Sequence, residues 1–304
     1  MARHYGIPYM GSKQKLVDKI VPFILKRHPN ADSFYDLFGG GGSVSLYVIT
    51  RYPHIDTVYN ELSKPIGELL KYLRDGGELP NNFFTRSEFE AGYRGDDWRA
   101  GLLQTVWTFG NSTRGNYLYS KEIELFKQKL HEWVVDDKDN LAWLNEYVRD
   151  NLGKPGLFLN GERYRTPYQR RIILLKQLGD KGRLQNLERL ERLVHISNMP
   201  GISTLAMSIG KSYDEVDIIG ERPIVYCDPP YEGTAEYGEG GFNHQAFYDW
   251  VASRDYPVYF SSYKISDTRF KLVKAINTRS LLRSSQSTEA SYNYENLYWN
   301  GVEG

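Results

Sequence analysis

Four consecutive glycines at positions 39–42 constrain the fold of this chain more than any other feature of its sequence. They follow a short strand candidate, Tyr35–Phe38, and precede a helix that begins at Ser43. Glycine lets the backbone turn tightly and approach a ligand closely, and the N-terminus of the next helix favours anionic groups. A second strand candidate, His54–Tyr59, and a helix over Pro65–Arg74 complete the unit. This strand–loop–helix–strand order predicts the start of a doubly wound, mostly parallel α/β sheet.

The rest of the chain predicts that a mainly helical segment interrupts this sheet. Between Thr85 and Asn198 the apolar residues recur at helical rather than strand spacing. The later strand candidates are Ser203–Ile209, Ile224–Cys227, Val258–Ser261, and a final pair around Arg279–Leu282 and Glu295–Trp299. We therefore predict a sheet domain formed by residues 1–84 and 203–304, with a helical insertion at residues 85–202.

The composition narrows the class of protein. Hydrophobic residues make up 40% of the 304 residues and charged residues 25%, which is typical of a soluble globular protein. No apolar run approaches the roughly 18 residues that span a bilayer, so we expect no membrane segment. The single cysteine, Cys227, excludes an internal disulfide framework and favours the reducing cytoplasm. The six histidines lack metal-ligand spacing, so we expect no metal.

The charge is distributed unevenly although its sum is zero. Residues 161–193 contain nine Lys and Arg against four Asp and Glu, a local excess of five positive charges. Within this stretch, Arg163 and Arg165 are candidate contacts for phosphate groups, because Arg and Lys supply most non-specific affinity for nucleic acid.

A second motif, Asp228-Pro229-Pro230-Tyr231, follows an apolar strand candidate and predicts the chemistry. A carboxylate and a backbone carbonyl can accept the two hydrogens of a flat amine, while the tyrosine ring stacks on its plane. Each proline fixes its own φ and has no N–H, so the backbone offers acceptors with little competing donation. The motif indicates attack by an exocyclic amine on an activated methyl group.

The glycine loop and its surroundings indicate which cofactor supplies that methyl group. A dinucleotide site would have G-x-G-x-x-G, but Val44 occupies the place of the third glycine, and the Walker lysine is missing as well. Glu61 follows the second strand, where an acid commonly binds ribose hydroxyls. A nucleoside cofactor without pyrophosphate, S-adenosylmethionine, therefore fits best. Lys13 could pair with the carboxylate of the cofactor or with an acid in the site.

Taken in order, Tyr9–Lys13, Asp36–Ser45 and Asp228–Tyr231 resemble the motifs of the Dam-type DNA adenine methyltransferases. The resemblance covers roughly residues 5–75 and 205–300. Among these enzymes, the chain resembles the group whose sequence motifs occur in the order X, I, target-recognition region, IV to VIII. The resemblance implies the fold of the S-adenosylmethionine-dependent methyltransferases, with an inserted DNA-recognition domain. It also implies site-specific N6 methylation of adenine in double-stranded DNA, and we expect a monomer because one active site serves each base.

The resemblance also implies roles for individual residues. It implies catalytic roles for Asp228, Pro229, Pro230 and Tyr231, and cofactor contacts for Tyr9, Lys13, Asp36, Phe38, Gly39, Gly41, Glu61, Ser212, Tyr213 and Asp228. The loop that starts at Gly110 falls where relatives place their recognition hairpin, and we predict that it contacts DNA through Asn111, Arg114 and Tyr117, together with Arg163 and Arg165.

The chemistry of the motif supports a direct transfer. An adenine amine is a poor nucleophile because its lone pair is delocalised into the ring. Hydrogen bonds to the Asp228 carboxylate and the Pro229 carbonyl would favour a pyramidal nitrogen with a directed lone pair. The base must leave the helix stack at a cost of a few kcal/mol, and stacking on Tyr231 would offset about 1–3 kcal/mol of it.

Three other functions are weighed against this one. A methyltransferase for cytosine-N4 or a protein glutamine would typically have Ser-Pro-Pro-Tyr or Asn-Pro-Pro-Tyr, so Asp228 favours adenine. A catalytically idle DNA-binding protein would have no chemical need for both motifs. An NAD-linked oxidoreductase is disfavoured by the broken glycine pattern. Cys227 lies in an apolar strand candidate and is interpreted as a buried structural residue rather than a nucleophile.

Overall fold

The computed structural model describes residues 5–111, 115–136, 140–157, 166–232, 241–278 and 293–303. The strands of this part of the chain are β1 (Ser33–Asp36), β2 (Asp56–Glu61), β3 (Ala206–Ile209), β4 (Pro223–Cys227), β5 (Val258–Ser262), β6 (Lys271–Thr278) and β7 (Asn293–Trp299). They form one sheet in the order β3-β2-β1-β4-β5-β7-β6. The first five in that order are mutually parallel, whereas β7 runs antiparallel to both β5 and β6. The prediction of a mostly parallel α/β sheet is confirmed.

Helices pack on the sheet, and they also form the long segment of the chain between strands β2 and β3. They are α1 (Val17–Arg27), α2 (Ser43–Arg51), α3 (Lys64–Arg74), α4 (Arg86–Gly92), α5 (Trp98–Val106), α6 (Lys121–Asp136), α7 (Leu141–Leu152), α8 (Pro167–Leu178), α9 (Gln185–Ser197) and α10 (His244–Ala252). Helices α4 to α9 follow one another between α3 and β3. None of the described helices is long and apolar enough to cross a membrane.

The two faces of the sheet enter two apolar clusters, as the alternation of side chains along a strand requires. Phe34 and Tyr226 pack on one face with the helical segment, whereas Tyr35 and Cys227 pack on the other with residues of α10. Cys227 is fully buried, and burial raises the pKa of its thiol well above the ordinary value. The interpretation of Cys227 as a buried structural residue is confirmed.

Several element boundaries differ from those predicted. The predicted strand Ser203–Ile209 is wrong in its first half, because residues 202–204 form a 3-10 turn that follows Gly201, whose φ is +81°. Strand β1 ends at Asp36, two residues before the predicted end, because Leu37 and Phe38 already belong to the turn into the glycines. The predicted strand at 279–282 lies outside the described residues, and β6 was not predicted.

Candidate active site

Three acidic residues meet at one edge of the sheet. Asp36 ends β1, Glu61 ends β2, and Asp228 directly follows β4. Because β1 lies between β2 and β4 and all three strands are parallel, their carboxyl ends share one edge. Ligands of doubly wound sheets bind at this edge. The sheet order therefore brings together acids that are as much as 192 positions apart in the sequence (228 − 36).

The end of β2 holds the glycine loop. The amide of Gly39 donates to the Asn60 carbonyl at 2.8 Å, and the hydroxyl of Tyr59 donates to the Gly40 carbonyl at 2.7 Å. The amide of Gly40 donates to Glu61 Oε2 at 2.6 Å. A Cβ at Gly39 would lie 2.2 Å from the ring of Tyr59, so no larger residue fits there without displacing that ring. Glu61 also accepts from a backbone amide of the next turn through its other oxygen, at 2.8 Å.

The N-terminal segment closes the loop from the opposite side. The amide of Ile7 donates to the Gly41 carbonyl at 2.8 Å. A Cβ on Gly40 would lie 3.1 Å from Tyr9 Cε1, and a Cβ on Gly41 would lie 2.9 Å from Tyr9 Cβ. Gly40 also has a φ of +48°, which glycine adopts at no steric cost. Tyr9 and the predicted loop glycines are thus brought into direct proximity.

Asp36 is turned toward the first turn of α2. Its Oδ2 accepts from the Ser45 amide at 3.2 Å and from the Ser45 hydroxyl at 2.7 Å. Burial, assisted by the negative charges of Asp228 and Glu61, raises the pKa of Asp36 to about 7 against these hydrogen bonds. Asp36 therefore stabilises the loop-to-helix junction directly, and its predicted contact with the cofactor stays a prediction.

Lys13 lies at the centre of the site. It opens a short 3-10 turn whose N-cap is Ser12. Lys13 Nζ lies 2.6 Å from Asp228 Oδ2 and 3.4 Å from Glu295 Oε1. It also lies 5.1 Å from the ring centroid of Tyr231. Of the two partners predicted for Lys13, the structure therefore contains the acid of the site.

The hydroxyl of Tyr231 completes this group. It lies 3.0 Å from Asp228 Oδ1 and also contacts Glu295 Oε1. Although burial opposes it, the charges of Asp228 and Glu295 raise the pKa of Lys13, which therefore stays an ammonium. Burial, together with the charge of Glu295, raises the pKa of Asp228 against the effect of Lys13. Two carboxylates share one ammonium here.

The prolines set the backbone between Asp228 and Tyr231. Pro229 is buried, and Pro230 accepts at its carbonyl from the His244 ring at 2.9 Å. The ring of Tyr231 meets that of Tyr263 edge to face, with centroids 4.7 Å apart and an interplanar angle of 80°. Tyr263 is 46% exposed, so this aromatic wall reaches the surface. The site thus combines largely buried polar side chains with an aromatic side chain that is accessible to solvent.

Two of the predicted cofactor contacts, Phe38 and Tyr213, belong to an aromatic group beside the loop. Phe38 and Tyr213 stack with centroids 5.4 Å apart, and Phe242 meets Phe38 edge to face at 5.8 Å. The amide of Ser212 donates to Glu215 Oε2 at 2.8 Å, so Ser212 caps a short turn. The structure brings Phe38, Ser212 and Tyr213 to the same end of the sheet.

The candidate DNA contacts are only partly described. Arg114, Arg163 and Arg165 lie outside the described residues, as does the side chain of Asn111. Tyr117 forms an antiparallel bridge with Thr108 and is 7% exposed, and its hydroxyl donates to the Phe84 carbonyl at 2.7 Å. A DNA contact through the Tyr117 side chain would require this hairpin to rearrange.

Other residues of the site were not predicted from the sequence. Phe109, at the base of the hairpin, is 68% exposed. On α9, Arg189 donates to the Thr108 carbonyl at 2.7 Å, and Arg192 donates to the Gly6 carbonyl at 2.6 Å. One helix therefore holds both the hairpin and the N-terminal segment that leads to Lys13.

Glu295 is the other residue that sequence reasoning missed. It shares one face of β7 with Leu297 and Trp299, which are 1% and 3% exposed. An acid in line with buried apolar residues at period two is a signal of a paired, buried carboxylate. That signal was available in the sequence.

The residues present fit a cofactor that carries positive charge and hydroxyl donors. Glu61 and Asp228 supply carboxylate oxygens beside a loop without side chains, and Lys13 pairs only with that of Asp228 among them. The Oδ1 atom of Asn60, next to Glu61, is buried and has no hydrogen-bond partner in the described part of the chain. A sulfonium, an ammonium and ribose hydroxyls would complement these groups.

A protein family matches the first part of the site. Residues 9–90 match the family described as D12 class N6 adenine-specific DNA methyltransferase. The matched stretch includes Tyr9, Lys13, the glycine loop and Glu61, and it ends before Asp228. No curated protein matches the chain.

Proposed function

We propose that this chain, whose residues 9–90 match the D12 class of N6 adenine-specific DNA methyltransferases, methylates a flipped-out adenine at specific sites in duplex DNA. The observation that carries the proposal is the group formed by Lys13, Asp228 and Tyr231 beside the glycine loop. An acceptor for an amine, an aromatic ring and a candidate cofactor site are thus within reach of one another.

Asp228 is the acceptor for the target amine. Its Oδ2 already accepts a nitrogen donor, the ammonium of Lys13, at 2.6 Å. An adenine N6 that replaced this donor would bring its second hydrogen toward the backbone of the adjacent Pro229. Hydrogen bonds of this kind direct the nitrogen lone pair and hold the reactants in line, and positioning can supply much of a rate enhancement.

The cofactor we propose is S-adenosylmethionine, which supplies an electrophilic methyl group when bound. Glu61 would accept the ribose hydroxyls through lone pairs that its two amide contacts leave available. Tyr9, Gly39 and Gly41 would line the loop, and Phe38, Ser212 and Tyr213 would border the adenine. Asp36 would act through the loop-to-helix junction that it stabilises.

Tyr231 would receive the extracted base. Burial raises the pKa of its phenol well above the ordinary value, so the hydroxyl stays a donor to the carboxylates. The hydroxyl contacts fix one edge of the ring, Lys13 Nζ lies 5.1 Å from its centroid, and Tyr263 meets it in an edge-to-face contact. Stacking of adenine on such a ring is worth about 1–3 kcal/mol and offsets part of the cost of unstacking.

The helical segment would recognise the DNA. We propose that the hairpin contacts bases through Asn111, Arg114 and the exposed Phe109, and that Arg163 and Arg165 contact phosphates. We further propose a monomer that acts in the cytoplasm. The single cysteine, kept as a buried thiol, supports the reducing compartment.

Transfer of labelled methyl groups tests the proposal. The protein is incubated with labelled S-adenosylmethionine and mixed-sequence duplex DNA, the product nucleosides are separated, and the modified positions are mapped. We expect N6-methyladenine at one recurring short sequence. Asp228→Ala should abolish the product, and Asp255→Ala, at an exposed acid, should not. Methylcytosine, or no transfer by a protein that binds cofactor and DNA, would overturn the proposal.

A further inference from the structure

A second buried carboxylate, Glu295, faces the group that we propose as catalytic. Strand β7 runs antiparallel to β5, so its first residues lie at the edge where the parallel strands end. The Glu295 side chain is 6% exposed, less than that of Asp228 at 17%. Buried carboxylates are retained where donors pair with them.

Glu295 shares both of its donors with Asp228. The ammonium of Lys13 lies 2.6 Å from Asp228 Oδ2 and 3.4 Å from Glu295 Oε1. The Tyr231 hydroxyl contacts an oxygen of each carboxylate, but it has only one hydrogen to donate. Two alternative pairings of the same donors are therefore within a small movement of each other.

This sharing bears directly on how a target amine could enter. In the arrangement described, Lys13 engages one oxygen of Asp228 and Tyr231 engages the other. If Asp228 were the only acceptor for Lys13, its release to an amine would leave a buried ammonium without a counter-ion. Unpaired buried donors are strongly unfavourable, and a charged one more so. Glu295 offers both donors another acceptor.

We infer that Glu295 is a positioning residue of methyl transfer, which takes over Lys13 and the Tyr231 hydroxyl when the target amine binds Asp228. The inference rests on the proposed function. In the free enzyme the ammonium holds Asp228 in place. In the complex with DNA, Glu295 keeps the ammonium and the ring of Tyr231 anchored, and Asp228 is open to the base. Glu295 itself touches neither the base nor the methyl group.

The test compares Glu295→Gln with Glu303→Gln, a control at an exposed carboxylate of the same C-terminal segment. The glutamine side chain keeps the shape of Glu295 but carries no charge, so Lys13 and the Tyr231 hydroxyl should both stay on Asp228. The quantities measured are kcat and KM for a duplex with the mapped site, the Kd for S-adenosylmethionine, the melting temperature, and base entry. Base entry is followed by the fluorescence of 2-aminopurine in place of the target adenine.

We expect Glu295→Gln to lower kcat/KM for DNA by about 10–100-fold, the loss typical of a hydrogen bond to a charged group. The fluorescence rise on DNA binding should fall with it, because Lys13 then stays on Asp228. The Kd for the cofactor and the melting temperature should stay near the wild-type values, and Glu303→Gln should match the wild type in every measurement.

A second variant keeps the test independent of folding defects. Tyr231→Phe removes the hydroxyl contact alone, so it should cost less than Glu295→Gln, and the double variant should be no worse than Glu295→Gln. Additive losses, or a Glu295→Gln enzyme within twofold of the wild type, would overturn the role of Glu295 only. A wild-type enzyme that transfers no methyl group would overturn the proposed function as well.

Discussion

Lys13 and Asp228 form the central ion pair of the site. Replacing one or the other should have very different effects on the free energy of unfolding. Lys13→Met leaves Asp228 and Glu295 facing each other in a buried site with no cation, since both are within 3.4 Å of Lys13 Nζ. Breaking a buried pair in this way costs about 3–5 kcal/mol of the free energy of unfolding. Asp228→Asn instead leaves the ammonium with Glu295 and an amide oxygen. We expect a cost near that of one ordinary hydrogen bond, about 0.5–1.5 kcal/mol.

Urea unfolding of the protein without DNA or cofactor measures this asymmetry at about pH 8. Lys15→Met is the matched control, because Lys15 belongs to the same turn but is exposed. The pH dependence of the free energy of unfolding provides a second test. Without the ammonium, the pKa of Asp228, already raised, rises further. A raised carboxyl pKa disfavours the folded state as the pH increases through it, so the deficit of Lys13→Met should shrink toward about pH 5.

Two results would refute this reasoning. One is a Lys13→Met protein within about 1 kcal/mol of the wild type at pH 8, a value expected of an exposed ion pair. The other is an equal loss in Lys13→Met and Asp228→Asn, which would mean that Glu295 does not share the ammonium.

Three further outcomes are expected. Glu61→Ala should raise the Kd for S-adenosylmethionine at least about tenfold in calorimetry with unchanged DNA affinity; loss of DNA binding alone would contradict its role. The pKa of Asp36 is about 7, so the free energy of unfolding should fall by up to about 1.4 kcal/mol per pH unit between about pH 4 and 7. Asp36→Asn should remove this part of the pH dependence, as measured by thermal unfolding at several pH values. An unchanged pH dependence would refute the assignment to Asp36. Arg163→Ala with Arg165→Ala should lower the salt slope of DNA binding by about two, and an unchanged slope would place the phosphate contacts elsewhere.

The parts of the fold that could be predicted are those encoded by neighbouring residues. The glycines at 39–42 and the two flanking strands identify a strand–helix–strand unit within about 30 positions (33 to 61), and the structure contains it. The proximity of Asp36, Glu61 and Asp228 can also be predicted from the sequence, because each lies at the carboxyl end of a strand and parallel strands end at one edge of the sheet.

The parts that could not be predicted depend on pairing between distant segments. Strand β6 alternates poorly, and its place depends on pairing with β7 across residues 279–292. The burial of Tyr117 reflects packing against Phe89 and Trp107 of the insertion, which its position in a polar loop did not reveal. The site role of Glu295 depends on the register of β7 against β5, which no local signal sets.

The two arginines of α9 have an evolutionary consequence. Arg189 binds the hairpin through the main-chain carbonyl of Thr108, and Arg192 binds the N-terminal segment through the carbonyl of Gly6 and the side chain of Gln14. Substitutions between Thr108 and Tyr117 therefore need not weaken the hydrogen bond that Arg189 donates to the Thr108 carbonyl. The span between the hairpin and the group formed by Lys13, Asp228 and Tyr231 then stays constant. Under the proposed function, new sequence preferences would thus arise by substitution at the tip of the hairpin alone, while the target base keeps its place relative to the protein.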